Sequence, residues 1–560
     1  MQLQASSAIS QILSPQASPE ANSSFFAADI RRSARSWHLV APPAYARGVQ
    51  ARARNRISAA LATTAMLAIV AGSAAIRWPG LTQGRLASHD VGGILYNAML
   101  LRSGGLPYVD SVEWKAPGSF YIAALVAGPA GTDIAALQLL ANLVALGSLV
   151  LVMALAWRLW GRAAGLACGA VFALHDAQLD SMDANYVTWA LLPQIAAVML
   201  AVAAYRRRQR SVPSAMSWLA AGAMCGAATL CKQPAGVVLI PVMAHALGLA
   251  RGWDLRAGAW VLAGFLAAHA PVALHYLAHG QLSALLASYA GANWGFAYIG
   301  HHADTARHVA AWEGLAATVF FLALPLVLAG FAAAAGPRDD ESRATTRLLM
   351  IWTLAAIAGA AVGLRFYKGY FLAALPPLCV LAAAPWGLLR VDFWRRGVAR
   401  WVAAPVLVAL FIRAAMILHA TRVDRSQPHD DGARKLGEYI ARHSEPGDRI
   451  WVWGWHLWGV YAYSGRLSAS PIYKTPGLLT RFDDDTWRRP STPVKLLPDS
   501  PHAERLLLDL EVTSPIFVVL GGSVPREQFV ALRRFLADHY ARDRRISVGK
   551  VEIWRRRQPG

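Results

Sequence analysis

Between residues 57 and 420 the chain keeps returning to apolar runs of about twenty residues, parted by short polar or basic breaks. A run of that length, wound as a helix, reaches across the hydrocarbon of a bilayer. A water-soluble core has no use for so many. Hydrophobic residues make up 56% of the 560 positions and charged residues 16%, whereas a soluble domain carries about a quarter charged. The chain is therefore predicted to be a polytopic α-helical membrane protein of about eleven spans. They fall near residues 57–76, 133–158, 162–176, 185–205, 213–230, 234–250, 257–278, 310–335, 348–364, 371–388 and 401–420.

The breaks orient the spans. With the amino terminus inside, Arg158 with Arg162, the Arg206-Arg207-Arg208 run, Arg251 with Arg256, the 336–347 loop and Arg395-Arg396 all fall in the cytosol, as the positive-inside rule requires. This count treats residues 117–130, PGSFYIAALVAGPA, as an interfacial segment, because the stretch is short and broken by Gly and Pro. Counted as a span, it would carry the Arg206 cluster outside. The net charge of +21 is then a matter of topology rather than of nucleic acid, since the arginines sit between apolar runs and not along one polar face.

Three regions follow. Residues 1–56 are basic, rich in Ala, Ser and Pro, and lack an apolar period, which predicts a disordered cytosolic segment. Residues 57–420 form the membrane domain, with a large outer loop at 77–132. Residues 421–560 read as a small outer α/β domain, with helix at 430–444, strand at 449–454, strand at 515–520, helix at 525–540 and strand at 546–555. Its WVWGWHLWGVYAY stretch suits aromatic core packing, with glycan or lipid contact as the alternative. Cys168, Cys225, Cys231 and Cys379 lie in or beside apolar segments without ligand or pairing spacing, so they read as small core residues.

Lysine usage is the sharpest pointer to function. Only Lys115, Lys232 and Lys368 precede residue 421, and each lies at a predicted outer boundary, where the positive-inside rule disfavours a cation. Snorkelling to the headgroups accounts for one such residue; three on one face ask for an anion. Lysine offers a compact charge and three donors to a phosphate, and Arg365 beside Lys368 adds a bidentate partner. In the first outer loop, Asp90 opens an amphipathic segment at the membrane surface. It can cap the helix that starts at Val91, and it can also take a proton from an attacking hydroxyl or amine.

The turn HDAQLDSMDANYV sets Asp176, Asp180, Asp183 and Asn185 on the same face. Its carboxylates suit a divalent cation, although solvated turn residues are the plainer reading, and no metal ligand set is assigned from them. The 279–309 loop adds His279, Trp294, Tyr298, His301, His302 and His308, aromatic and polar side chains that fit either sugar stacking or the interface.

The order of an outer-loop Asp, GGLPYVD, KAPGSFY, CKQPAG and RFYKGYFLAALPP resembles the polyprenyl-phosphate-dependent glycosyltransferases of the C superfamily. The nearest resemblance is to bacterial protein O-mannosyltransferase-like and lipid A aminoarabinose transferase-like membrane enzymes. The resemblance implies a catalytic base at Asp90 and donor-phosphate contacts at Lys115, Lys232, Arg365 and Lys368. Sugar or acceptor contacts are assigned to Tyr96, Asp183, Asn185, Tyr367 and Tyr370. Where that family often carries an acidic pair, this chain has Asp90 followed by Val91. The partners so implied are a polyprenyl-phosphate sugar, membrane lipid and a periplasmic glycan, lipid or protein acceptor, at a bacterial inner membrane, with no nucleic acid. The alternative is a transporter or flippase for an anionic lipid-linked sugar. It predicts ionisable groups along a midplane path and paired repeats, whereas the candidates gather at one surface and no internal repeat is seen.

Overall fold

The computed structural model describes residues 44–82, 84–86, 88–248, 254–291, 304–335, 340–362, 366–388, 397–427, 429–475, 478–481, 495–497 and 500–557. Residues 1–61 form one unit, and residues 62–560 form a second that holds all the elements beyond the start of α1. Helix α1 (Ala44–Ile76) is followed by three short helices, α2 (Trp78–Thr82), α3 (His89–Arg102) and α4 (Gly118–Val126). Then come α5 (Ile134–Trp160), α6 (Arg162–His175), α7 (Tyr186–Gln209), α8 (Ala215–Cys231), α9 (Leu239–Leu247), α10 (Leu255–Ala278), α11 (Leu282–Tyr289), α12 (Asp304–Ala335), α13 (Asp340–Ala361), α14 (Leu375–Leu388) and α15 (Gly397–Arg425).

Among the described residues, 7 of these helices (α1, α5, α7, α10, α12, α13 and α15) are long and apolar enough to cross a membrane. Shorter apolar stretches at α6, α8, residues 233–247 and α14 complete a set that matches the predicted runs one for one. Leu266, Leu354 and Met416 stay largely exposed in the middle of long helices, a surface that water does not tolerate in bulk and lipid does. The four cysteines are free and buried.

Two polar ends emerge. At one, Arg206 donates to Glu341 at 2.7 Å and to the backbone oxygen of Arg158, while Arg208 reaches Asp254 at 2.9 Å. We call this the arginine pole. At the other, the lysine pole, residues 114–119 meet the end of α8: Gln233 Nε2 donates to the Trp114 oxygen at 2.8 Å and Ser119 Oγ to the Cys231 oxygen at 3.3 Å. Segment 117–130 forms the nine-residue α4, about 14 Å long and less than half the hydrocarbon thickness. It does not carry the chain from one pole to the other, which agrees with its predicted interfacial place.

The carboxy-terminal region folds as α16 (Asp431–Arg442), β1 (Ile450–Trp453), α17 (Gly459–Ser464), β2 (Thr480–Arg481), β3 (Lys495–Leu496), α18 (Pro501–Thr513), β4 (Phe517–Leu520), α19 (Val530–His539), β5 (Tyr540–Arg542) and β6 (Glu552–Arg556). The main sheet runs β1-β4-β6-β5, with β1 and β4 parallel in the register Ile450 to Phe517, and β6 antiparallel to both neighbours. Alternation along β1 sends Ile450 and Val452 to one core and Trp451 and Trp453 to another. Burial on both faces explains why this strand is continuously apolar.

The WVWGWHLWGVYAY stretch is thus chiefly core. Trp451, Trp453 and Tyr461 are fully buried, and Trp455 alone among the named aromatics of this stretch is substantially exposed. One member of the first of these cores comes from elsewhere. Tyr96 of α3 stacks on Tyr473 at 4.0 Å and lies 4.9 Å from Tyr461, so the first outer loop and the carboxy-terminal domain share a core.

Candidate functional site

Asp90 lies in the first turn of α3, a place where a carboxylate is favoured by the helix dipole. The expectation that it caps a helix beginning at Val91 is corrected here. The helix starts one residue before Asp90, and Ser88 holds the cap position. Two glycines follow. A Cβ on Gly92 would stand 2.8 Å from the Gly459 nitrogen, and one on Gly93 would stand 3.1 Å from Lys474 Cε. A pair of helix-weakening glycines, each costing about 1 kcal/mol, is therefore what lets the carboxy-terminal domain close on α3 beside Asp90.

Three lysine cations act on the Asp90 carboxylate. Burial by itself would raise its pKa, but the charges of Lys115, Lys474 and Lys232, with His89, outweigh burial and hold it below the ordinary aspartate value. Lys115 is placed by its backbone. Its N–H donates to Glu113 Oε1 at 3.1 Å, its oxygen accepts from Tyr108 at 2.5 Å, and its Nζ lies 5.5 Å from the Tyr186 ring. Lys232 follows directly on α8, with Nζ 3.9 Å from the centre of the Tyr370 ring. Burial and the neighbouring Lys115 charge push Lys232 down to about 7, opposed by Asp90 and Asp180.

Lys232 and Tyr370 stand at a cavity of about 460 Å³ whose walls are otherwise mostly apolar, among them Val187, Ala190, Ala356 and Ala360.

Lys368 stands at the same pole in a different state. It pairs with Asp180 at 3.1 Å, and Arg425 reaches the same carboxylate at 3.6 Å. Arg365 lies outside the described residues, as do Trp294, Tyr298, His301 and His302. Tyr370 faces the cavity, Tyr367 is partly exposed with its ring 5.6 Å from that of Tyr370, and Tyr96 is buried in the shared core away from it. Asp183 is fully buried, with Oδ1 accepting from Gln138 Nε2 at 2.9 Å, and Asn185 caps α7 by accepting from the Tyr186 N–H.

Asp176 and Asp183 are fully buried and Asp180 is only partly exposed, contrary to the plainer reading of the sequence. They also face separate partners. Asp176 is ion-paired with buried Arg77 and Asp180 with Lys368 and Arg425, while Asp183 accepts a hydrogen bond from Gln138. Among the described residues no group of three His, Cys, Asp or Glu converges as metal ligands. Arg77 also donates to Asn142 at 3.2 Å and to Ser181 Oγ at 2.6 Å, pinning this turn against α5.

The structure adds two residues that the sequence reading passed over. Glu113, fully buried, is a second carboxylate of the same loop and shares with Asp90 the charge of Lys474. Its partner is Lys474, 2% exposed, from the carboxy-terminal domain. Counting lysines only up to residue 420 hid Lys474. The signals available were the glycine pair after Asp90 and a glutamate two residues before Lys115.

Two solved structures share this architecture. ArnT from Cupriavidus metallidurans bound to undecaprenyl phosphate is 14% identical over 87% of this chain and 97% of its own, with a TM-score of 0.57. The same protein in the apo state is 15% identical over 88% and 98%, with a TM-score of 0.58. The chain has the fold of these two structures. No protein-family model matches the chain, and no curated protein matches it in sequence.

Proposed function

We propose that the chain is a membrane glycosyltransferase that moves a sugar from a polyprenyl-phosphate donor to an acceptor at the lysine pole. The observation that carries this reading is the convergence of Lys115, Lys232 and Lys474 on Asp90 beside an apolar cavity headed by Lys232 and Tyr370. In the reaction the acceptor oxygen or nitrogen attacks the anomeric carbon. The bond from that carbon to the phosphate oxygen breaks with its electron pair going to the phosphate, and the acceptor proton passes to Asp90. The leaving polyprenyl phosphate gains negative charge as the bond breaks, and Lys115 and Lys232 are the cations set to meet it, with Lys368 on the far side of Asp180.

Charge balance links binding to chemistry. In the free protein the lysines keep Asp90 ionised, and a weak base. A donor phosphate that takes up their charge raises the proton affinity of Asp90 at the moment when the acceptor must be deprotonated. Tyr367 and Tyr370 are open enough to contact sugar, as is Trp455 beside His89, while Asp183 and Asn185 would act by holding the turn that carries Asp180. In this reading the lysine pole faces the periplasm of a bacterial inner membrane and the arginine pole the cytosol.

The test is transfer from a panel of undecaprenyl-phosphate-linked sugars by the purified full-length protein, with membrane extract as the acceptor source. Transfer is expected with wild-type protein and not with Asp90→Asn. Movement of the lipid across vesicles without transfer would favour a flippase.

A further inference from the structure

Glu113 is the most highly connected side chain at the lysine pole. Oε1 accepts from the N–H groups of Trp114 at 2.9 Å and Lys115 at 3.1 Å. Oε2 accepts from the hydroxyl of Tyr473 at 2.7 Å, from Asn97 Nδ2 at 3.4 Å and from the Lys474 ammonium. Asn97 sits two turns along α3 from Asp90, and its Oδ1 accepts from Ser111 at 2.7 Å. The Val112 N–H donates to the Pro471 oxygen at 2.8 Å. One carboxylate thus ties together the helix that carries Asp90, the loop that carries Lys115 and the segment at 471–474 of the carboxy-terminal domain.

This arrangement has an electrostatic difficulty. A carboxylate that orients Lys115 by its backbone also places a negative charge beside a site built to receive an anion. Lys474 removes it. We propose, resting on the function proposed above, that Lys474 is a positioning residue of the transfer site: it neutralises Glu113, so that the carboxylate can fix Lys115 against α3 without repelling the donor phosphate. The carboxy-terminal domain is on this view part of the site and not an appendage to it. Lys474 is too deeply buried, and too close to the Tyr473 and Trp458 rings, to serve as a free phosphate ligand itself.

The surroundings favour the Glu113 carboxylate, while burial draws the Lys474 ammonium below its ordinary lysine value against the opposing pull of Glu113. Burial would raise the Glu113 pKa, but Lys474 and the hydrogen bonds from it, Tyr473 and Trp114 hold it below the ordinary glutamate value. The other ionisable groups nearby are Tyr108 on the same loop, Lys115, Asp90 and His89 on α3, Lys232 beyond α8 and Tyr473. None of the carboxylates or phenols in this set can replace the Lys474 charge, and the other lysines face Asp90.

The proposal predicts an unusual pH signature. In Lys474→Met, Glu113 keeps a buried negative charge at high pH and takes up a proton as the pH falls, because its folded-state pKa then rises. Equilibrium binding of undecaprenyl phosphate to the full-length protein, measured between pH 6 and pH 8.5, reads this out. Lys474→Met is expected to bind about tenfold more weakly than wild type at the upper end, a loss that shrinks toward pH 6. The double variant E113Q/K474M, which restores neutrality and keeps an amide oxygen for the two N–H groups, is expected to recover to within about threefold at all pH. Lys115→Ala serves as the reference for loss of a direct contact, weakened without recovery at low pH. Wild-type affinity in Lys474→Met throughout would overturn the proposal. So would an equal loss in single and double variants with no pH dependence, which is the mark of a packing defect. Wild-type protein that does not bind the lipid at all would overturn the proposed function, and this inference with it.

Discussion

Lys474 and Lys368 carry the same charge at the same pole and are held in opposite ways. Lys368 leaves 43% of its side chain exposed and meets Asp180 across a surface shared with Arg425. Lys474 is 2% exposed and locked to a carboxylate that is itself fully buried. A half-exposed cation can leave its partner for an arriving phosphate at little cost, since surface ion pairs contribute about 0 to 1 kcal/mol. A buried cation cannot, because it would strand a buried charge at about 3 to 5 kcal/mol. The pole therefore combines cations free enough to move with one that is held in place. Lys115 and Lys232 fall between, half-buried and resting near the Tyr186 and Tyr370 rings.

This comparison can be broken experimentally at several points. The largest effect is expected at the group all these cations serve. Asp90→Asn should lower sugar transfer by about a hundredfold to ten-thousandfold while the thermal unfolding curve stays near that of wild type. Wild-type turnover in a folded Asp90→Asn would remove the base from the mechanism.

Next in size is Glu113→Ala, which leaves Lys474 buried and unpaired. It should destabilise the protein by about 3 to 5 kcal/mol in denaturant or thermal unfolding. Because the folded-state pKa of Glu113 lies below its unfolded value, the stability it contributes is present at neutral pH and is lost as the pH falls below the usual glutamate range. Glu113→Gln should lack that acid-side loss. Similar acid sensitivity in both proteins would show that the pair is not what is titrating.

Lys232 tests the intermediate case. With its pKa near 7, it loses its proton as the pH rises past neutrality, whereas an arginine stays charged. The affinity of wild type for undecaprenyl phosphate, taken relative to Lys232→Arg, should therefore fall by about tenfold between pH 6 and pH 8. A flat ratio would place Lys232 outside the phosphate site. Smallest of all, Lys368→Ala should change stability by less than about 1 kcal/mol. A loss several times larger would make the Lys368–Asp180 pair a structural bond like that of Lys474 and erase the distinction.

The apolar runs between residues 57 and 420 were legible because span length and hydropathy are local properties, and all eleven reappear as apolar helices. The poles were legible too. Arginines at the predicted inner breaks meet around Arg206, and Lys115 and Lys232 meet through Trp114 and Gln233. Harder to foresee was the burial of polar groups. Asp176 and Asp183 look like solvated turn residues, since nothing in HDAQLDSMDANYV announces that Arg77, a hundred positions earlier, and Gln138 will cover them. Tyr96 is expected among the sugar or acceptor contacts, but six residues along the helix from Asp90 it turns to another face, into the core with Tyr461 and Tyr473.

What the sequence determined by itself is the class of solvent, the apolar helices and the end of the molecule at which its first three lysines gather. All of these depend on residue type and on spacings of a few to twenty positions. Only the tertiary structure decided that the carboxy-terminal domain belongs to the site. Glu113 and Lys474 are separated by 361 positions, and neither is unusual where it stands. The pair exists because two glycines after Asp90 let a distant segment approach. It is retained because a buried carboxylate and a buried ammonium are each tolerable only in the presence of the other.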